Sequence, residues 1–189
     1  VIETGLTTFS AIVLAGGRAS RLGGADKASI ELDGRTLLAR SLDAVIDAAE
    51  VVVVGTQVPT ERPVTFVVED PAFGGPVAGL LTGRDQLLRR TPVLAVLAVD
   101  MPFLTATTFR RLTAAAVGHD GAILTDPDGR RQLALVVETA RLDAVRPGRE
   151  EQHGAALHRL LEPFDLAEVD ARGDEHRDVD TWTDLRDLA

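Results

Sequence analysis

Apolar residues along this chain come in short unbroken runs that alternate with helically spaced ones. Phe9–Ala15 reads as a first strand, closed by Gly16 and Gly17. Val51–Val54 is a run of valines stopped by Gly55. Val64–Val68 is another strand, and Val93–Val99 is the most apolar, ending at Asp100. Between these, Thr36–Ala48 spaces Leu37, Leu38, Leu42, Val45 and Ile46 as a helix does. Pro76–Leu88 is predicted helical, with proline in the first turn, where a missing N–H costs least. In the second half, Thr105–Val117 is a helix closed by Gly118. Ala122–Thr125 and Leu133–Glu138 are strands around a turn at 127–131. Gly154–Leu161 is a helix stopped before Pro163, and Leu166–Val169 is a short strand. Thr181–Leu188 is a last helix, with Thr181 and Asp184 in capping-box spacing.

This alternation predicts an α/β fold: a doubly wound, mostly parallel (Rossmann-like) sheet with helices on both faces. The pair of strands at 122–138 is expected to supply one antiparallel strand. A length of 189 residues fits a single domain spanning 1–189. Aromatics make up only 4% of the chain, so the core must be built from Val, Leu, Ile and Ala, which suits a buried parallel sheet. The polar stretch at 171–178 reads as a surface loop.

Composition narrows the chemistry. There is no cysteine, which excludes disulfides, thiolate metal sites and cysteine nucleophiles. A net charge of −9 argues against general nucleic-acid binding, which needs a basic face. A single polyanionic small molecule can still bind where local positive charge offsets that field. The first residues carry Glu3 and no basic stretch before an apolar run, so they do not read as a secretory signal. The apolar runs are too short to cross a bilayer. The expectation is a cytoplasmic protein with no membrane or nucleic-acid partner. The four histidines, at 119, 153, 158 and 176, show no metal-ligand spacing and read as surface residues.

The chemistry-bearing segment is LAGGRASRLGGADK, residues 14–27, which follows the first strand. A glycine-rich turn at a strand end in an α/β sheet is a phosphate-binding place. A Walker loop would need Gly-Lys followed by Ser or Thr, yet Lys27 follows Asp26 and precedes Ala28. A dinucleotide fingerprint would need G-x-G-x-x-G, yet the glycines come as two adjacent pairs. What remains is a long loop carrying Arg18, Arg21 and Lys27, three cations suited to a triphosphate. Lys27 is the chain's one lysine among nineteen arginines. A compact ammonium can follow a moving phosphate in a way that a planar guanidinium cannot.

The segment LAGGRASRLGGADKASIELDGRTLL closely resembles the opening of the molybdenum cofactor guanylyltransferases, and more distantly the GT-A-type nucleotidyltransferases. The likeness continues at Asp70, in DPAFGGPVAGL, and at Asp100, in VDMPFL. It is weaker at Arg131–Leu135, where Gln132 replaces an expected proline. It is also weaker at DVDTWTDL, where Asp178 and Asp180 stand in place of asparagines and Trp182 in place of proline. The resemblance covers nearly the whole chain and is strongest over 9–40 and 68–104.

The resemblance implies transfer of GMP from GTP to the phosphate of molybdopterin or molybdenum cofactor, with Mg2+ and release of pyrophosphate. It places Leu14, Ala15, Gly16, Gly17, Asp70 and Gly75 around the nucleotide and a metal on Asp100. Lys27 and Arg21 would stabilise the leaving pyrophosphate. A carboxylate at the end of a central strand also fits independently, since Mg2+ takes one or two carboxylates plus substrate phosphates. Asp178 and Asp180 could reach that metal or order a loop, but read preferentially as helix N-caps. Guanine rather than cytosine follows from Gly16: the cytidylyl relatives carry alanine there, and glycine lets a wider purine lie against the backbone. Molybdoenzymes or their chaperones are implied as further partners. The rival readings are a molybdenum cofactor cytidylyltransferase and a non-catalytic nucleotide-binding relative that assists cofactor delivery.

Overall fold

The computed structural model describes residues 8–16, 26–70 and 74–188. In chain order the strands are β1 (Phe9–Leu14), β2 (Glu31–Leu32), β3 (Arg35–Thr36), β4 (Val51–Val54), β5 (Thr65–Val67), β6 (Val93–Ala98), β7 (Gly121–Thr125), β8 (Arg131–Glu138) and β9 (Leu166–Asp170). The helices are α1 (Leu37–Ala44), α2 (Pro76–Gln86), α3 (Ala106–Ala115), α4 (Thr139–Val145), α5 (Arg149–Gln152), α6 (Leu157–Leu161) and α7 (Trp182–Leu188).

Seven strands form one sheet in the order β5-β4-β1-β6-β8-β7-β9. Every neighbouring pair is parallel except those made by β8, which runs against both β6 and β7. The expected single antiparallel strand is therefore β8. β2 and β3 form a separate small hairpin, turned by Asp33 and Gly34, both at positive φ. Asp tolerates that region better than most residues and Gly is free in it.

The sheet is buried because its strands alternate between two apolar clusters. Phe9, Ala11 and Val13 of β1 pack with Leu38 of α1 and Phe109 of α3 on one face. Ile12 joins Leu80 and Leu81 of α2, Leu142 of α4 and Leu160 of α6 on the other. Burial on both sides explains why the strands read as continuous apolar runs rather than as alternating ones. α2 lies especially close to the sheet. A Cβ on its Gly83 would stand 2.8 Å from a methyl of Ile12 and 2.9 Å from one of Val54.

Helix ends depart from the predicted bounds more than strand ends do. The spacing at 36–48 predicts a longer helix than α1, which ends where Val45 leaves helical geometry. The predicted helix at 154–161 starts only at Leu157, because Gly154 takes φ 70° and donates its N–H to the carbonyl of Gly74. α4 and α5 had no expected counterpart. Among the described residues no helix is long and apolar enough to cross a membrane.

One topological fact positions the site. β1 pairs with β4 on one side and with β6 on the other, so the connections leave β1 in opposite directions. In an open α/β sheet, ligands bind in the crevice outside the carboxyl ends of the strands at such a point. Leu14 of β1 lies in register with Ala98 of β6, and Val99 donates to the carbonyl of Leu14. Gly16 and Asp100 therefore leave the sheet side by side.

Candidate functional site

A cavity of about 430 Å3 opens at this strand edge. Leu14, Gly16 and Val54 form one wall, Gly75, Pro76 and Gly79 another, and Ala98, Asp100 and Leu133 a third. Glu69 completes it. Gly75 caps α2 at φ 88°, a backbone conformation that favours glycine. Gly16 is different. It has no positive φ, and a Cβ there would meet only the Val54 carbonyl at 3.6 Å. Among the described residues nothing requires glycine at Gly16, which lines the cavity.

Lys27 begins a single 3-10 turn over Lys27–Ser29, capped by the Asp26 carboxylate, which accepts from the N–H of Ala28 at 3.0 Å. That turn aims the ammonium at two carboxylates. Nζ donates to Oδ2 of Asp100 at 2.8 Å and to Oδ1 of Asp180 at 2.7 Å. The side chains of Lys27 and Asp100 are 18% and 23% exposed, whereas Asp180 is 46% exposed. Burial opposes the charge on Lys27, but the two carboxylates outweigh it and hold the ammonium above its usual range. Asp178 stands close by. Partial burial, then the charges of Asp180 and Asp100, push its carboxyl up.

The approach of Asp180, 153 residues from Lys27, corrects the reading of Asp178 and Asp180 as helix caps. The cap of α7 is Thr181. Its hydroxyl accepts from the N–H of Asp184, and the Asp184 carboxylate accepts from the N–H groups of Thr181 and Asp180. The carboxylate of Asp180 is thereby left for Lys27. The segment is pinned in place by Val179, buried, whose N–H donates to the carbonyl of Asp100 at 2.8 Å.

The loop at 171–178 was expected to be a solvated surface loop, and Glu175 in it is buried. Its carboxylate takes two bonds from Arg111, one from the Thr108 hydroxyl at 2.6 Å and one from the N–H of Arg172 at 2.7 Å. Burial raises the cost of its charge, yet these bonds prevail and hold the carboxyl below its ordinary value. α3 thus anchors the loop that carries Asp178 and Asp180 to the crevice. His153 and His158 are exposed as expected. His119 instead pairs with Asp165 at 2.9 Å, and His176 is half-buried.

Of the other expected site residues, Leu14, Ala15, Gly16, Gly75 and Asp100 all stand at the crevice. Gly17, Arg18 and Arg21 lie outside the described residues. Asp70 is at the surface: its carboxylate pairs with Arg149 of α5, and its backbone bonds the Thr82 hydroxyl. The carboxylate that lines the cavity belongs to its neighbour, Glu69. At the start of β8, Arg131 pairs with Glu168 and Gln132 with Asp126, as an ordinary strand start would, while Leu133 reaches the cavity wall.

Among the described residues no three His, Cys, Asp or Glu side chains are grouped to hold a metal by themselves. Two carboxylate oxygens do converge on one cationic atom, the ammonium of Lys27. That arrangement fits a metal whose remaining ligands are phosphates and water.

The chain matches the family described as the MobA-like NTP transferase domain over residues 11–169. A molybdenum cofactor guanylyltransferase of Mesorhizobium japonicum is 32% identical over 87% of this chain and 83% of its own length. One from Cupriavidus metallidurans is 32% identical over 84% and 86%. Among solved structures, Rv0371c of Mycobacterium tuberculosis superposes with a TM-score of 0.78 at 20% identity, over 96% and 97% of the two chains. A 2-C-methyl-D-erythritol 4-phosphate cytidylyltransferase of Thermus thermophilus does so with 0.74 at 21%, over 96% and 97%. A further structure of the Mycobacterium tuberculosis protein holds manganese, with a TM-score of 0.72 at 19% identity over 96% and 98%.

Proposed function

Since the chain belongs to the MobA-like NTP transferase family, we propose that it moves GMP from GTP to the phosphate of molybdopterin or its molybdenum form and releases pyrophosphate. The observation that carries this reading is the Lys27 ammonium set between Asp100 and Asp180 at the switch point of the sheet. Beside it lies a small-molecule-sized cavity with glycines on two walls.

The reaction needs no protein nucleophile. The acceptor phosphate is already an anion, and one of its oxygens attacks the α-phosphorus in line as the bond to pyrophosphate breaks. The protein's contribution is positioning and charge neutralisation. Asp100 and Asp180 would hold Mg2+, which when bound offsets the triphosphate charge. Lys27 has charge-assisted bonds to give and a flexible stem, so it can pass from the carboxylates to the leaving pyrophosphate. Arg21 is assigned to the same leaving group. Gly16 and Gly75 let the nucleoside approach the backbone closely, with Leu14 and Ala15 beneath it, and the resemblance assigns Gly17 to the phosphates. Asp70 is assigned to the nucleoside side, where its exchange of Arg149 for a ligand would close the site. The reading places the reaction in the cytoplasm, with molybdoenzymes or their chaperones receiving the product.

Guanine is favoured over cytosine by the glycine at Gly16 on the cavity wall and by relatives named guanylyltransferases at 32% identity. Pyrophosphate release measured with each nucleoside triphosphate, with and without molybdopterin and Mg2+, tests the proposal. Release is expected with GTP only, and only when acceptor and metal are both supplied. Preferential release from CTP overturns the choice of base. Nucleotide binding with no release under any condition overturns the enzymatic reading in favour of a non-catalytic relative.

A further inference from the structure

Glu69 is a carboxylate without an evident task. It follows β5, it lines the cavity, and among the described residues it has no hydrogen-bond or ion-pair partner. Its Oε2 lies 3.6 Å from where a Cβ on Gly79 would stand, so it is turned across the first turn of α2 rather than out into water. The residue is half-buried. Its neighbour Asp70, by contrast, is spent on Arg149 at the surface. The cavity holds a second carboxylate, Asp100, at another wall, but that one is already bound to Lys27. One end of the cavity thus carries a cation–carboxylate couple suited to phosphates and metal. The other carries a pair of acceptor oxygens, between glycines, with no partner among the described residues.

We infer that Glu69 reads the base, and that it selects guanine by accepting hydrogen bonds from N1–H and the exocyclic N2 amine. This rests on the guanylyl-transfer reading above and names the residue that would make the choice. An ionised carboxylate is an acceptor with two oxygens in a fixed fork. Guanine is the one common base that presents two adjacent donors on a single edge. Cytosine offers its N4 amine beside the acceptor N3, adenine offers its N6 amine beside the acceptor N1, and uracil offers one N–H between two carbonyls. Against each of these, one carboxylate oxygen faces a lone pair, which costs affinity as well as forgoing a bond. Gly16 gives the purine room, and Glu69 gives it identity.

The test is equilibrium binding of GTP, ITP and CTP to the full chain, comparing wild type with Glu69→Gln. Inosine triphosphate differs from GTP only by lacking the N2 amine, so it isolates one of the two bonds. Wild type is expected to bind GTP roughly 10-fold or more tighter than ITP or CTP, as a lost charge-assisted bond implies. In Glu69→Gln, GTP affinity should fall about 10- to 100-fold, ITP, which keeps the N1–H bond to the carboxylate, should fall by a smaller factor, and CTP should change by less than about threefold. Glu69→Asp, which keeps the charge but shortens its reach, should fall between the two. A wild-type preference for GTP that survives intact in Glu69→Gln overturns the role of Glu69 and leaves guanylyl transfer standing. An equal loss for all three nucleotides also overturns it, because that is a general effect on the pocket. Tighter CTP binding by wild type overturns both readings together.

Discussion

Replacing Lys27 by methionine removes a charge that the site uses before any substrate arrives. The side chain is similar in length, so the packing of its stem is kept. Two charge-assisted hydrogen bonds are lost, at 2.8 Å to Asp100 and 2.7 Å to Asp180. Such bonds contribute about 1.5–3 kcal/mol each when shielded from water. Asp180 is 46% exposed, so its share falls to about 1 kcal/mol or less. The expected destabilisation is therefore about 2–3 kcal/mol in the presence of a chelator, read from urea unfolding midpoints. A second consequence has the opposite sign. Asp100 and Asp180, with Asp178 beside them, are left facing one another without a cation. A divalent ion no longer has to displace an ammonium to reach them. Manganese titrated without nucleotide should bind Lys27→Met about tenfold or more tighter than wild type, a change of about 1.4 kcal/mol, and should restore much of the lost stability. Unfolding within about 0.5 kcal/mol of wild type, or unchanged manganese affinity, would refute the view that Lys27 occupies the position of a cation. Lys27→Arg supplies the contrast: it should keep the stability, yet release pyrophosphate far more slowly.

Glu175→Gln should cost about 2–4 kcal/mol at pH 7, because it leaves Arg111 partly buried without its counter-ion. The Glu175 carboxyl is held, against its burial, below the usual carboxylate range by Arg111 and Thr108, so its contribution is present above that range and is lost as pH falls through the lower folded value. The gap between wild type and variant should therefore hold steady from pH 7 to about pH 5 and close below it; a gap that persists undiminished at pH 3 contradicts the assignment. Gly121→Ala should destabilise by about 2–3 kcal/mol or more in urea, since its Cβ would lie 2.2 Å from the Val136 carbonyl oxygen, and that oxygen belongs to a paired strand with little room to yield. Unchanged stability would mean that β7 and β8 are not packed as described.

Strands were legible in this sequence because burial on both faces leaves no other pattern: Val51–Val54 can be little else. The reversal of β8 was legible from its short turn to β7, since a tight turn joins only antiparallel neighbours. The position of Asp100 at a strand end, and that of Lys27 beside it, were suggested by family likeness and by the order of the strands. Asp180 was misread because D-T-x-x-D advertises a cap locally, and the cap is real; it simply uses Thr181 and Asp184. What frees Asp180 is a contact with Lys27 across 153 residues, which no window of the sequence contains. Glu175 was hidden in the same way, in a polar stretch whose burial depends on α3. Glu69 was not legible because adjacent residues leaving a strand point opposite ways, and sequence does not say which one faces the cavity.

The lone lysine has a practical consequence. Growth on nitrogen-15 lysine would place isotope in one side chain and one backbone amide of all 189 residues, giving a single ammonium resonance free of overlap. That resonance would belong to the atom held between Asp100 and Asp180. Its frequency and its exchange with water would show at each stage of turnover whether the proton-rich end of Lys27 is clasped or released.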